Sequence, residues 1–183
     1  MIRNLLRARG NRRVIEALHG RIVAAARNPA LFLPPYVVPD TLEGRFDLLV
    51  LLATLVVRRF ESLPDPGREI AQGVVDCLFQ HLDSGLREMG VGDLAVPKRM
   101  KKLAGDFGGR SAAYRETLEK GREAFAGALA HNIYGSDFAD ERALALADYA
   151  RRSIEQLERM DLSQILDDPS PFPDPEPADV RLR

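Results

Sequence analysis

Cys77 and His81 lie four residues apart, a spacing that puts a thiol and an imidazole on one helix face and offers a metal two ligands. Two ligands do not close a site, and the chain has no second cysteine. The other histidines, His19 and His131, fall in separate helical segments. The expectation is therefore a packed thiol beside a surface histidine, with no metal and no cofactor. Gly90-Val91-Gly92 has the look of a phosphate loop, but a helical pattern precedes it and Ala95 stands where a third small residue would fall. A helix-ending turn is the better reading. Gly108-Gly109-Arg110-Ser111 reads the same way, with Ser111 capping the next helix. Neither a zincin helix nor a nucleophile elbow is present, and no spacing pairs the many carboxylates. The sequence gives an enzyme no support.

Charge is more informative. Lys98, Arg99, Lys101 and Lys102 form a dense basic run, suited to a solvated helix face or to phosphate on RNA or lipid. Residues 1–27 hold seven arginines, among them Arg3, Arg7, Arg12 and Arg13, against one acid, Glu16. Joined to an apolar face, that composition marks a helix able to lie at a membrane surface or to pack on a core. Residues 167–183 are the reverse, with five acids and five prolines. Over all 183 residues the net charge is −1, so no whole-protein argument for DNA or an acidic substrate exists. Arginines interrupt the N-terminal apolar residues before a secretory h-region can form. The single cysteine excludes an internal disulfide framework and fits a reducing compartment.

These residues need elements to hold them, and the periodicity is helical nearly throughout. Hydrophobic residues make up 45% of the chain and charged ones 29%, ordinary for one globular domain that buries about 70% of its unfolded surface. Ile2 to Ala26 traces one broad face, with Gly10 and Asn11 as a candidate break. Asp40 with Glu43 reads as a capping box opening a helix over 41–62. Its Leu48 to Val57 run is too short to span a bilayer, which takes about 20 apolar residues, and reads as a central core helix. Further helices are expected from Asp65-Pro66 to Met89, over a short 98–107 segment ended by Gly108-Gly109, along a Tyr114 to Leu129 stripe, from Asp137 with Asp140 three residues on, and for one turn after Asp161. The expected architecture is all-α, a single domain of six or seven helices over 1–166. An extended Pro-rich acidic tail over 167–183 follows, either solvated or laid over another surface.

Asp83 to Lys102 reads DSGLREMGVGDLAVPKRMKK. It predicts a helix ending at Met89, a Gly-Val-Gly turn, Asp93 as a cap, an exposed apolar pair Leu94 and Val96, and a basic helix. An Arg87–Glu88 ion pair would suit an ordinary corner. The LREMGVGD core at Leu86 to Asp93 and the basic segment at Lys98 to Lys102 resemble the ubiquinol–cytochrome c chaperone family, assembly factors of the cytochrome bc complex. Arg45-Phe46-Asp47, Gly109-Arg110, Ala113-Tyr114 and Leu129 to Tyr134 extend the resemblance over about half the chain.

The resemblance implies a helical, non-enzymatic chaperone that holds newly made cytochrome b until assembly proceeds. It also brings in the ribosome, the membrane surface and a small partner protein. Its expected place is the cytoplasm, peripheral at the inner membrane, as for a bacterial member; a eukaryotic member would work on the matrix side of the mitochondrial inner membrane. Arg87, Glu88, Asp93, Leu94 and Val96 are the candidate client contacts. Lys98, Arg99, Lys101 and Lys102 are the candidate ribosome or lipid surface. Arg3, Arg7, Arg12 and Arg13 belong to the candidate membrane-surface helix. The competing reading is a ribosome- or RNA-associated helical adaptor, which would bind through phosphate and weaken steeply with salt.

Overall fold

The computed structural model describes residues 2–176, with side-chain surroundings given from Arg12 onward. Seven α-helices and no strand occur among the described residues: α1 (Ile2–Ala26), α2 (Leu42–Glu61), α3 (Gly67–Glu88), α4 (Val96–Lys120), α5 (Arg122–Tyr134), α6 (Glu141–Arg159) and α7 (Leu162–Asp167). A 3₁₀ turn at Pro29–Phe32 lies between α1 and α2. The fold is all-α, as the periodicity predicts.

Helix α2 is the axis of the core. Leu48, Leu51, Leu52, Leu55 and Val56 are completely or almost completely buried, and α2 packs on α1, α3, α4, α5 and α6. Its apolar run is surrounded by protein on all sides, which is why it shows no polar stripe. Its cap is Thr41, not Asp40: Thr41 Oγ1 accepts the Gly44 N–H at 3.1 Å. Asp40 instead accepts from Arg45 Nε at 2.7 Å.

Two expected boundaries move. Helix α4 runs straight through Gly108-Gly109, the expected stop of the 98–107 segment. Each glycine costs a helix about 1 kcal/mol; packing on both sides outweighs that. Phe107 meets the edge of Phe79 with ring centroids 5.5 Å apart, and Tyr114 meets Phe125 at 6.0 Å. Ser111 therefore caps nothing, and its hydroxyl hydrogen-bonds Thr54 Oγ1 at 2.7 Å. The break falls at Gly121 instead, at φ 108° and ψ 179°, a conformation L-residues rarely adopt. The Tyr114 to Leu129 stripe is consequently shared by α4 and α5.

At both ends of the chain, segments that could have been solvated join the core. Helix α1 continues through Gly10 and Asn11, and Leu18, Ile22 and Ala26 of its second half are buried. Arg21 of α1 donates to the carbonyls of Ile165, Leu166 and Asp168, tying α7 and the start of the tail to α1. Pro171, Phe172 and Pro175 are then buried, so the tail up to Glu176 lies over the bundle. Asp161 with Gln164 forms a complete capping box on α7, as the sequence predicts, whereas α6 is capped by Asp140 and not by the expected Asp137, which lies exposed in the connection before it.

Short connections make α2 to α6 alternate in direction. Asp47–Arg110, Thr54–Ser111 and Glu61–Arg115 contacts set α2 and α4 in the same sense. Arg59, near the end of α2, donates to the carbonyls of Leu157 and Met160 at the end of α6. The loop before α2, the α3–α4 corner and the α5–α6 turn thus share one end of the bundle.

Candidate functional site

The α3–α4 corner is built by glycine geometry. Gly90 takes φ 80°, which lets the N–H groups of Gly90 and Val91 reach back to the carbonyls of Arg87 and Leu86. Gly92 O then accepts from Ala95 and Val96, turning the chain into α4. Arg87 stands inside the corner, with Nε donating to Asp83 Oδ2 at 2.7 Å and Nη1 to Asp93 Oδ1 at 2.5 Å. It does not pair with Glu88, which is exposed. Asp93 is thus an anchor for Arg87, not a helix cap; the residue before α4 is Ala95, which has no side-chain cap bond.

Leu94 is 99% exposed at the tip, while Val96 is only 1% exposed. The expected exposed pair is therefore a single residue, because Val96 opens α4 with its side chain turned into protein. Lys98, Arg99 and Lys101 are exposed on the first turns of α4, and Lys102 pairs with Asp106 at 2.7 Å. Arg12 pairs with Glu16 across one exposed turn of α1, and Arg13 is exposed; the side chains of Arg3 and Arg7 lie outside the described residues.

Leu94 is not alone at its end of the bundle. Met89 is exposed beside it in the corner, Leu33, Val37 and Leu42 are exposed around the loop before α2, and Phe138 is 82% exposed in the α5–α6 turn. Val37 sits at φ 47°, rare for a β-branched residue, between buried Tyr36 and Val38. With both neighbours committed to the core, its side chain is left facing outward. Tyr134 at the end of α5 donates to Tyr36 O at 2.7 Å, joining this loop to the α5 end. These six, the exposed large hydrophobics among the described residues, thus occupy one end of the bundle, in its connections and, for Leu42, at the first residue of α2. Apart from Leu94, sequence reading missed them; their signal was apolar residues standing in Pro-, Gly- and Asp-rich connections.

Behind this end, α2 and α4 share a buried polar seam. Asp47, 4% exposed, lies 3.0 Å from Arg110 Nε, at an angle too poor for a hydrogen bond. Arg110 also sits over the Phe46 ring, and Asp106 is 3.9 Å from its Nη1. Burial pushes the Asp47 carboxyl up to about 6, against the pull of Arg110. The Tyr114 hydroxyl is buried nearby with no partner among the described residues, and burial raises its pKa well above the phenol range. Phe46, Asp47, Arg110 and Tyr114, read from the sequence as separate motif fragments, meet here.

A third cluster spans α1 and α3. A Cβ on Gly73 would lie 2.4 Å from Ile15 Cδ1, so the glycine makes a notch that lets α1 settle close. One turn further along each helix, His19 faces Cys77 and His81. The His19 and His81 rings stack with centroids 4.4 Å apart and 8° between planes. His81 Nδ1 is 2.9 Å from Cys77 O and 3.5 Å from Cys77 Sγ. Burial, then the His81 charge, lower the His19 pKa to about 4, and burial raises that of Cys77. The sequence pairs Cys77 with His81 but has no way to add His19.

No helix in the described residues is long and apolar enough to cross a membrane. A search of curated proteins returned no match. The crystal structure of the Cbp3 homolog from Brucella abortus is similar in fold and sequence, with a TM-score of 0.79 and 34% identity over 95% of this chain and 97% of that one. Residues 36–172 match the family described as ubiquinol-cytochrome C chaperone. That span takes in the α3–α4 corner, the α2–α4 seam and all the exposed apolar connections except Leu33. The chain belongs to the ubiquinol–cytochrome c chaperone family.

Proposed function

We propose that this chain is an assembly chaperone for the cytochrome bc complex that holds newly made cytochrome b at the apolar end of its helical bundle. The observation that carries this reading is the gathering of Leu33, Val37, Leu42, Met89, Leu94 and Phe138 into connections at one end. A nascent multi-span protein offers apolar helices with basic cytoplasmic flanks. A holder needs exposed apolar anchors together with acids for those flanks. Glu43, Glu88, Asp93, Asp137 and Asp140 supply exposed carboxylates among these connections. Leu94 and Phe138 are the expected anchors. Arg87, held by Asp83 and Asp93, keeps the Leu94 tip in place.

The working position follows from the client: the cytoplasmic face of the inner membrane in a bacterium, where cytochrome b emerges. Exposed Lys98, Arg99 and Lys101, with Arg12 and Arg13 of α1, give contacts for anionic lipid or ribosomal RNA. No part of this action requires catalysis.

The test is co-purification of cytochrome b with the tagged protein from membranes of the native host. Leu94→Asp combined with Phe138→Asp should leave the melting curve unchanged and reduce captured cytochrome b at least tenfold. Lys101→Glu with Lys102→Glu should spare client capture and weaken salt-sensitive contacts. A folded double Asp variant that retains cytochrome b would remove this end as the client site. Absence of cytochrome b from the unmodified protein would overturn the chaperone reading.

A further inference from the structure

We propose that His19, Cys77 and His81 form a binding site for one thiophilic divalent cation of the zinc class, linking α1 to α3. Each side chain offers one ligand atom, and the three atoms already lie within 4.8 Å of one another. Tetrahedral zinc with Zn–N of about 2.0 Å and Zn–S of about 2.3 Å holds its ligands roughly 3.3–3.6 Å apart. Closing the cluster thus takes a contraction of about 1 Å together with a turn of the exposed His81 ring out of its parallel stack on His19, so that both imidazole lone pairs can point at one ion.

The donor set selects the metal. One sulfur and two imidazole nitrogens suit zinc and similar borderline-soft ions and disfavour magnesium or calcium, which take oxygen. On binding, the Cys77 S–H bond breaks, its proton passes to solvent, and the thiolate sulfur forms the metal bond; nothing is oxidised or reduced. His19 and Cys77 are buried, whereas His81 is exposed, so the cluster opens to solvent on the His81 side. A water, or the Glu16 carboxylate one turn before His19, can fill the fourth position. The backbone fixes the setting: Ile15 over Gly73 sets the α1–α3 register that brings His19 opposite Cys77.

The site would clamp the arginine-rich N-terminal helix to the bundle independently of the apolar end, so client capture and metal binding can fail separately. The test uses the full chain, stripped with chelator and titrated with Zn²⁺ and with Co²⁺. One Zn²⁺ should bind per chain. Co²⁺ should produce a thiolate-to-cobalt charge-transfer band that is absent in Cys77→Ser. Zn²⁺ should slow alkylation of Cys77, the chain's single cysteine, by iodoacetamide at least tenfold. His81→Gln, at an exposed position that tolerates substitution, should weaken Zn²⁺ binding at least tenfold with an unchanged circular dichroism spectrum. His131→Gln, on α5, should bind as the unmodified protein does. Zn²⁺ binding that survives His81→Gln and His19→Gln, a cobalt spectrum without the thiolate band, or no stoichiometric Zn²⁺ would each overturn the proposal.

Discussion

Replacing Asp47 by Asn tests the α2–α4 seam through its pH dependence. The native carboxyl titrates near 6, against 3.8 for an unperturbed Asp, chiefly because burial disfavours its charge. Between those pH values the folded chain holds the Asp47 proton and the unfolded chain releases it. Stability contributed at this position is therefore present below about pH 4 and is lost as pH rises to about 6. A shift of roughly two units at 1.36 kcal/mol each sets an upper scale of about 3 kcal/mol; residual water contact at the seam places the expected loss at about 1–3 kcal/mol. Asparagine mimics the protonated acid and cannot titrate. In urea melts at pH 4, 5, 6 and 7, Asp47→Asn should gain on the unmodified protein by that amount between pH 4 and pH 7. Acids remote from the seam titrate alike in both proteins and cancel in the difference. Arg110→Ala should act oppositely, with greater cost at pH 7 than at pH 4, because the lone charge opposing Asp47's burial is gone. A pH-independent difference between Asp47→Asn and the parent would refute a strained buried carboxylate in this seam.

Two further outcomes are expected. Leu52 is fully buried in the central helix, so Leu52→Asp should place an unpaired charge in the core at a cost of about 5 kcal/mol or more and leave no cooperative melt by circular dichroism. In α1, removing residues 1–27 should unfold the domain because Leu18 and Ile22 leave with it. Arg12→Glu with Arg13→Glu should instead keep the fold and lower affinity for anionic vesicles about thirtyfold, at roughly 1 kcal/mol per lost contact, as read by vesicle co-sedimentation.

The helices were legible because their signals are local. The capping box at Asp161 and Gln164 and the long apolar run of α2 each lie within a few residues of the feature they determine. The misplaced boundaries involve competition between local and distant terms. Gly108-Gly109 is a strong stop signal, but Phe79 and Phe125, remote in sequence, hold α4 through it. Gly121 is a single glycine inside a helical apolar stripe, a weaker stop signal than Gly108-Gly109, and its φ of 108° is set by how α5 folds back on α4. The site follows the same division. The corner's glycines and Arg87 are readable, but whether Val96 faces in or out depends on the rotation of α4, which packing decides. His19 joins Cys77 only through the α1–α3 register, and Asp47 joins Arg110 only through the α2–α4 crossing.

The two ends of the bundle differ in a way that composition alone does not require. At the end where α2 and α6 finish, Arg59 occupies the terminal carbonyls of α6, Arg58 pairs with Glu158, and Glu61 pairs with Arg115. Polar groups there satisfy one another, and none of the exposed large hydrophobics among the described residues lies there. At the opposite end the backbone is equally well satisfied: Gly90 and Gly92 close the corner, and Asp140 caps α6. Yet Leu33, Leu42, Leu94 and Phe138 remain in water. Folding supplies no reason to expose them, since burial of each such side chain would contribute about 1.5–3 kcal/mol. Nor does the core depend on them, because the seam and α2 lie behind them. The proposed client contact gives these residues a role that the stability of the isolated domain does not. The same separation predicts that Leu94 and Phe138 can be replaced by Asp without unfolding the domain, so loss of client there reads as loss of contact.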